Sequence, residues 1–210
     1  MQGTARKRTR RKDARPAEIL DAGLAEFGEK GFAGARLEDV ARRAGIAKGT
    51  IYLYYGSKEA LFEAAVRDRL VATIDDLSAT AGRFEGSTEA LLSTLLGRIY
   101  DELVGTDSIV LLKVLVAEGN RFPSLVALYR EVALARGMAL VSAIVARGVA
   151  RGEIRPGPAA GDPRIVMAPT IAAAIWTILF GREAPLDREA FLAAHLDLLA
   201  NGLLDRRRET

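Results

Sequence analysis

Residues 41–61 read ARRAGIAKGTIYLYYGSKEAL, and the reading of this stretch decides the fold. A short apolar-periodic segment ends at Gly45, a residue suited to the left-handed position just past a helix. A three-residue turn, Gly45-Ile46-Ala47, leads into a second short segment, Lys48 to Tyr55. Gly56-Ser57 then breaks the chain, and Ser57 is a good N-cap for a long helix from Lys58 to about Ala81. Two short helices joined by a glycine-containing turn of this length are the geometry of a helix-turn-helix. The second helix of such a pair lies in the major groove of DNA, while the first crosses the backbone.

Working upstream, Leu37, Val40, Ala41 and Ala44 form one stripe, which predicts the first helix of the pair over Leu37–Ala44. Before it, Leu20, Leu24 and Phe27 share a face at i, i+4, i+7, which predicts a helix from about Pro16 to Lys30. Pro16 suits a first helical position, Gly31 suits the residue past the end, and Phe32 can fold back onto Phe27. Three helices over residues 15–60 make a compact DNA-binding head.

Helical periodicity sorts the side chains of Lys48–Tyr55. With Ile51 facing the core, Tyr55 lies beside it, Gly49 and Leu53 point almost directly away, and Thr50 and Tyr52 flank them. A helical glycine costs about 1 kcal/mol relative to alanine, but at Gly49 it removes a side chain where a groove floor comes close. Leu53 can touch a thymine methyl. Thr50, Tyr52 and Tyr54 offer hydroxyls to phosphates or base edges, and Lys48 can reach a guanine edge or a phosphate. Lys58 and the N–H groups at the start of its helix can grip a phosphate.

Charge is distributed to match. Residues 1–60 hold thirteen Lys/Arg against eight Asp/Glu, whereas the remaining 150 hold seventeen against nineteen. A basic front end and a near-neutral body point to a polyanion partner for the front alone. Residues 1–14 carry the cluster Arg6, Lys7, Arg8, Arg10, Arg11 and Lys12 and read as a disordered basic arm, either solvated or lying along phosphates.

Behind the head, residues 61–210 repeat one grammar of apolar helices and short breaks, which predicts an all-α body and nine helices in all. Residues 155–163, with Pro156, Gly157, Pro158 and Gly161, read as the one long loop. Leu70, Ile74, Leu95, Ile99, Leu111, Leu115, Leu134, Met138 and Met167 fall at core spacing. Clefts between bundle helices hold ligands, so an effector pocket is expected among Leu70, Ile74, Tyr100, Leu115, Glu118, Phe122, Tyr129 and Trp176. Alternatively, Glu118 and Arg121 are a surface i, i+3 pair. The small apolar run Ile171–Ala174 and the segment from Leu186 to Leu204 are candidates for a subunit interface, with Pro169 bending the first of these helices. His195, the single histidine, reads as packed or interfacial.

Several classes are disfavoured. Without cysteine there is no disulfide, thiol nucleophile or Cys-ligated zinc, and no metal site or cofactor is expected. Met167–Phe180 is too short for a bilayer span of ~20 residues, so the chain reads as soluble, cytoplasmic and without a membrane partner. No Gly-rich phosphate loop or nucleophile-base pair supports an enzyme.

The run Gly31–Leu61 resembles the N-terminal domain of the tetracycline-repressor (TetR/AcrR) family. The pattern A-x-x-A-G-x-x-x-G-x-x-Y-x-[HY]-[FY]-x-x-K-E-x-L matches from Ala41 to Leu61. The resemblance implies a homodimer, joined through its last two helices, that represses from a palindromic operator until a small molecule releases it. It implies DNA contacts at Lys48, Gly49, Thr50, Tyr52, Leu53 and Tyr54, with a phosphate contact at Lys58. Arg36 and Ala47 depart from the Ser or Thr common there, so both helix caps are lost, and Arg36 can replace the hydroxyl-to-phosphate bond of the family with an ionic one. An activator or ligand-independent regulator of the same architecture is the alternative. A helical-bundle enzyme with a DNA-binding head is the alternative of another class. In the repressor reading the long helix from Lys58 is the lever between head and pocket.

Overall fold

The computed structural model describes residues 3–204, with side chains from Pro16 onward. The order is α1 (Gly3–Gly34), α2 (Leu37–Arg43), α3 (Lys48–Tyr54), α4 (Lys58–Val66), α5 (Ala72–Arg83), α6 (Thr88–Gly105), α7 (Ile109–Glu118), α8 (Pro123–Tyr129), α9 (Ala135–Ala150), α10 (Pro158–Gly161), α11 (Pro163–Phe180) and α12 (Arg188–Gly202). π-helical turns at Arg67–Val71 and Arg130–Leu134 join α4 to α5 and α8 to α9, so the described residues form ten continuous helical runs. Among the described residues there is no strand. The nine expected helices are all present, and the tenth is the single turn α10 inside the segment read as a loop.

One boundary and one core position differ from expectation. The backbone of α1 is helical from Gly3, so Pro16 lies inside the helix rather than opening it, and a helix occupies the place of the expected arm. Ala, Arg and Lys, which fill this segment, are strong helix formers. The side chains of the basic cluster, and residues 205–210 with Arg206–Arg208, lie outside the described residues. Leu134, expected in the core, is 42% exposed, and Ala133 is buried in its place. The π turn Arg130–Leu134 carries one residue more per turn, which shifts the buried stripe by one position.

The chain divides into two compact units, one of residues up to Asp68 plus Val110–Tyr129, the other of Arg69–Ile109 plus residues from Arg130 on. The first unit thus holds α4, most of α7 and all of α8 beside the helices of residues 15–60. Its core is aromatic. Phe27, Phe32 and Phe62 meet with centroids 5.4–6.1 Å apart, and Phe122 from the α7–α8 turn stands edge-on to Phe32 at 5.0 Å. Ile19, Ile51 and Leu61 complete it with no exposed surface. Glu26, almost fully buried on α1, pairs ionically with Lys30 Nζ at 2.8 Å and accepts from Arg43 Nε on α2 at 3.1 Å.

The second unit is a helical bundle around Leu77, Leu91, Leu95, Leu96, Val141, Ile144, Val166 and Leu199. His195 lies within it, as expected of a packed histidine, with Nδ1 3.2 Å from the Tyr100 hydroxyl and Nε2 2.9 Å from the Val166 carbonyl. In α11 the buried residues Val166, Met167, Thr170, Ala173 and Ala174 fall on one side. Two helical runs, Pro123–Ala150 and Pro163–Phe180, are long and apolar enough to cross a membrane by length and composition.

Candidate nucleic-acid interface

The turn between α2 and α3 is closed by backbone bonds. Gly45 takes φ +64°, which lets Ile46 N–H donate to the Ala41 carbonyl at 2.9 Å and Gly45 N–H to Arg42 at 3.2 Å. These are the paired bonds of a Schellman ending. They set the direction of α3, and Ile51, with no exposed surface, anchors it to the head.

The opposite side of α3 is open as its periodicity predicts. Leu53 is 86% exposed, and a Cβ placed on Gly49 would meet nothing within 4 Å. Tyr52 and Lys48 are exposed, while Thr50 and Tyr54 are half-buried on the flanks. Tyr55 takes an extended conformation past the helix end, and burial raises its hydroxyl pKa above the ordinary value. Arg36 is exposed at the extended residue before α2 and Ala47 at that before α3. Neither makes a side-chain cap bond, as their residue types require.

Glu38 is the residue that sequence reasoning missed. Its Oε1 accepts from the Tyr52 hydroxyl at 2.8 Å and lies 3.1 Å from Lys48 Nζ. Its carboxyl is held down at about 2 by its own backbone N–H, then by Tyr52 and Lys48. The signal was present: Lys48 and Tyr52, one turn apart, can share one acceptor, and Glu38 is an acid in the first turn of α2.

Lys58 does not face outward as expected. Its ammonium donates to the carbonyls of Phe32 at 2.8 Å and Ala33 at 3.2 Å, with the Phe32 and Phe122 rings 4.7 and 5.8 Å away. The reason lies at Gly31, whose φ of +70° breaks α1 and leaves the carbonyls of the next turn without helical partners. Glu118 completes the same elbow by accepting from Phe32 N–H and, at 2.9 Å, from Ala33 N–H.

The residues expected to line one effector pocket have separate placements. Leu115, Glu118, Phe122 and Tyr129 belong to the first unit, and Leu70, Ile74, Tyr100 and Trp176 to the second. Glu118 and Phe122 build the head around Phe32. Tyr100 is fully buried against His195, and Leu70 is buried. Trp176 is 44% exposed, stacks on Phe180 and donates its indole N–H to the Ala184 carbonyl at 2.9 Å. Leu115, Ile74 and Tyr129 are half-buried, and burial raises the Tyr129 hydroxyl pKa.

An all-helical chain with an anchored helix-turn-helix and an open recognition face belongs to the helix-turn-helix class of regulatory proteins. The family model for bacterial regulatory proteins of the tetR family matches residues 19–65, and that for a tetracyclin repressor-like C-terminal domain matches residues 85–199. The second covers more than half of the sequence, and the chain belongs to the tetracycline-repressor family. Relatives include the HTH-type transcriptional regulator YvdT of Bacillus subtilis, 36% identical over 85 residues, which are 40% of this chain and 41% of that protein. The HTH-type transcriptional regulator RutR of Escherichia coli is 43% identical over 67 residues, 32% of each chain. The chain thus spans well under half the length of these relatives in its matches. Among solved structures, the transcriptional regulator FadR from Bacillus subtilis in complex with stearoyl-CoA has a TM-score of 0.68 at 21% identity, over 89% of this chain and 98% of that one.

Proposed function

We propose that this chain is a homodimeric, sequence-specific DNA-binding repressor, released from a palindromic operator when a small molecule binds its helical body. The observation that carries the reading is the open face of α3, where Leu53 stands 86% exposed beside a bare Gly49 while Ile51 is fully buried. An exposed leucine next to a glycine, ringed by Tyr52, Thr50 and Lys48, suits a groove floor with thymine methyls and phosphates at its edges.

Dimerisation is supported by α11. Its exposed residues Ile165, Ala168, Ala172, Trp176 and Leu179 follow i, i+3, i+7, i+11, i+14 spacing, opposite the buried side of the same helix. An apolar stripe of this length on an exposed helix face suits a second copy of that helix. Leu198 on α12, 60% exposed, extends the apolar surface available. Each subunit then supplies one recognition helix, and a duplex accepts the pair where they stand about one turn, ~34 Å, apart. An effector acts by preferring a state with another spacing.

A mobility-shift assay on the DNA upstream of the gene, with a salt series, tests this reading. Sequence-specific, salt-dependent shift without cleavage is expected, and the absence of any specific shift overturns it. Stearoyl-CoA, bound by the FadR neighbour, is the first effector probe. Mass by light scattering tests the dimer, with Trp176→Glu expected to yield monomer.

A further inference from the structure

Glu38 is an acid standing among the side chains assigned to DNA. One oxygen, Oε1, accepts from the Tyr52 hydroxyl at 2.8 Å and contacts Lys48 Nζ at 3.1 Å. Both partners lie on α3, one turn apart, and the Lys48 side chain is 70% exposed. The neighbouring acid has different partners: Asp39 is tied to Lys30 at 2.8 Å and to Arg42. The Glu38 carboxylate therefore presents an anionic oxygen to the same hydroxyl and ammonium that a DNA phosphate would engage.

We propose that Glu38 is a specificity-determining residue, a built-in anionic competitor that withholds Lys48 and Tyr52 from indiscriminate phosphate contact. The proposal rests on the DNA-binding reading above. On a duplex of arbitrary sequence, binding is driven by counterion release as cations neutralise phosphates. At Lys48 that gain is cancelled, because the ammonium only exchanges one anionic oxygen for another. The freed carboxylate then faces phosphates and repels them. At the operator, contacts from Leu53, Thr50 and Tyr52 to base edges offset the exchange. Glu38 thus lowers non-specific affinity more than specific affinity, and the ratio of the two governs where a regulator sits.

The test uses Glu38→Gln, which deletes the charge while keeping an oxygen that can accept from Tyr52 and from the residue's own N–H. An operator is first selected by the unmodified protein from a random duplex pool. Both proteins are then titrated with that operator and with an arbitrary duplex of about three helical turns, across a salt series. Affinity of the variant for the arbitrary duplex is expected to rise about tenfold at low salt, with a log–log salt slope steeper by ~1–2 units for the two subunits of a dimer. Operator affinity should change less, so the specificity ratio falls. Glu38→Asp, which keeps the charge, should restore low non-specific affinity. In a Lys48→Gln background the Glu38→Gln change should steepen the slope by less than it does with Lys48 present, because only the repulsion between carboxylate and phosphate is then left to relieve, a result that a general loss of structure would not produce. Unchanged arbitrary-duplex affinity and slope overturn the proposal. So does a loss confined to the operator, which would assign Glu38 to a base edge such as a cytosine amino group. An unmodified protein that selects no duplex overturns the DNA-binding reading itself, and Glu38's role with it.

Discussion

The Lys58 ammonium donates to the Phe32 carbonyl at 2.8 Å and sits 4.7 Å from the centroid of that residue's ring. One cation thus satisfies the backbone and the π face of the same residue, at the elbow where Gly31 ends α1. Glu118 bonds the N–H groups of the turn whose carbonyls Lys58 holds. Lys58→Met should therefore cost about 2 kcal/mol of stability, the range for hydrogen bonds from a charged donor. A urea midpoint measured without DNA checks this. A midpoint equal to that of the unmodified protein would return Lys58 to the role of phosphate ligand.

Gly49 separates folding from binding. The space around it is open, so alanine fits without contact and should stabilise the helix by about 0.5–1 kcal/mol. The added methyl would occupy the gap between α3 and the groove floor, and operator affinity should fall at least ~10-fold, a loss of ~1.4 kcal/mol. A melting curve and a mobility shift on the same preparation read the two effects. A more stable variant with full operator affinity would move the DNA face off Gly49.

Acid should weaken the head through Glu26. Its bond to Lys30 holds its carboxyl below the ordinary value, against the opposing effect of burial, with Arg43 adding to the lowering. A depressed folded pKa means the unfolded chain takes up the proton first. The stabilisation is complete above the unfolded value of about 4.3 and is lost as pH falls through the lower folded value. Glu26→Ala at neutral pH removes this acceptor from Lys30 and Arg43, which keep Asp39 and Glu29 as partners, and should lower the urea midpoint. Glu26→Gln should flatten the decline in urea midpoint between about pH 5 and pH 3, and an unchanged decline would count against the assignment.

In the second unit, His195 must carry its proton on Nε2, because the Val166 carbonyl can only accept. Nδ1 then accepts from the Tyr100 hydroxyl. Burial holds the imidazole pKa below its usual value, partly opposed by the bond to Val166. Stability from the neutral ring is full above the unfolded value of about 6.5 and declines as pH falls toward the folded one. Tyr100→Phe leaves Nδ1 buried without that donor and should cost about 1–2 kcal/mol. His195→Gln should make the midpoint less sensitive between about pH 7 and pH 5.5. Equal sensitivity in both proteins would place the titrating group elsewhere.

Much of this molecule was legible along the chain because its information is local. Gly45 needed a positive φ, Ser57 capped the helix after it, and the spacing of Ile51, Gly49 and Leu53 told inward from outward before any coordinate existed. Where a helix register changed, as at the π turn before Ala135, periodicity carried Leu134 to the wrong side.

What sequence alone determined were the helices and the exposed face of α3, since hydrogen bonds four residues apart and one-sided burial write a period into the residues themselves. Which distant segments join the head was decided only by tertiary packing. Glu118 and Phe122 reach Phe32 across more than eighty residues, Lys58 turns to the carbonyls of another helix, and Glu38 meets Lys48 and Tyr52. Such meetings depend on the angle and distance between elements, and no period along the chain encodes either.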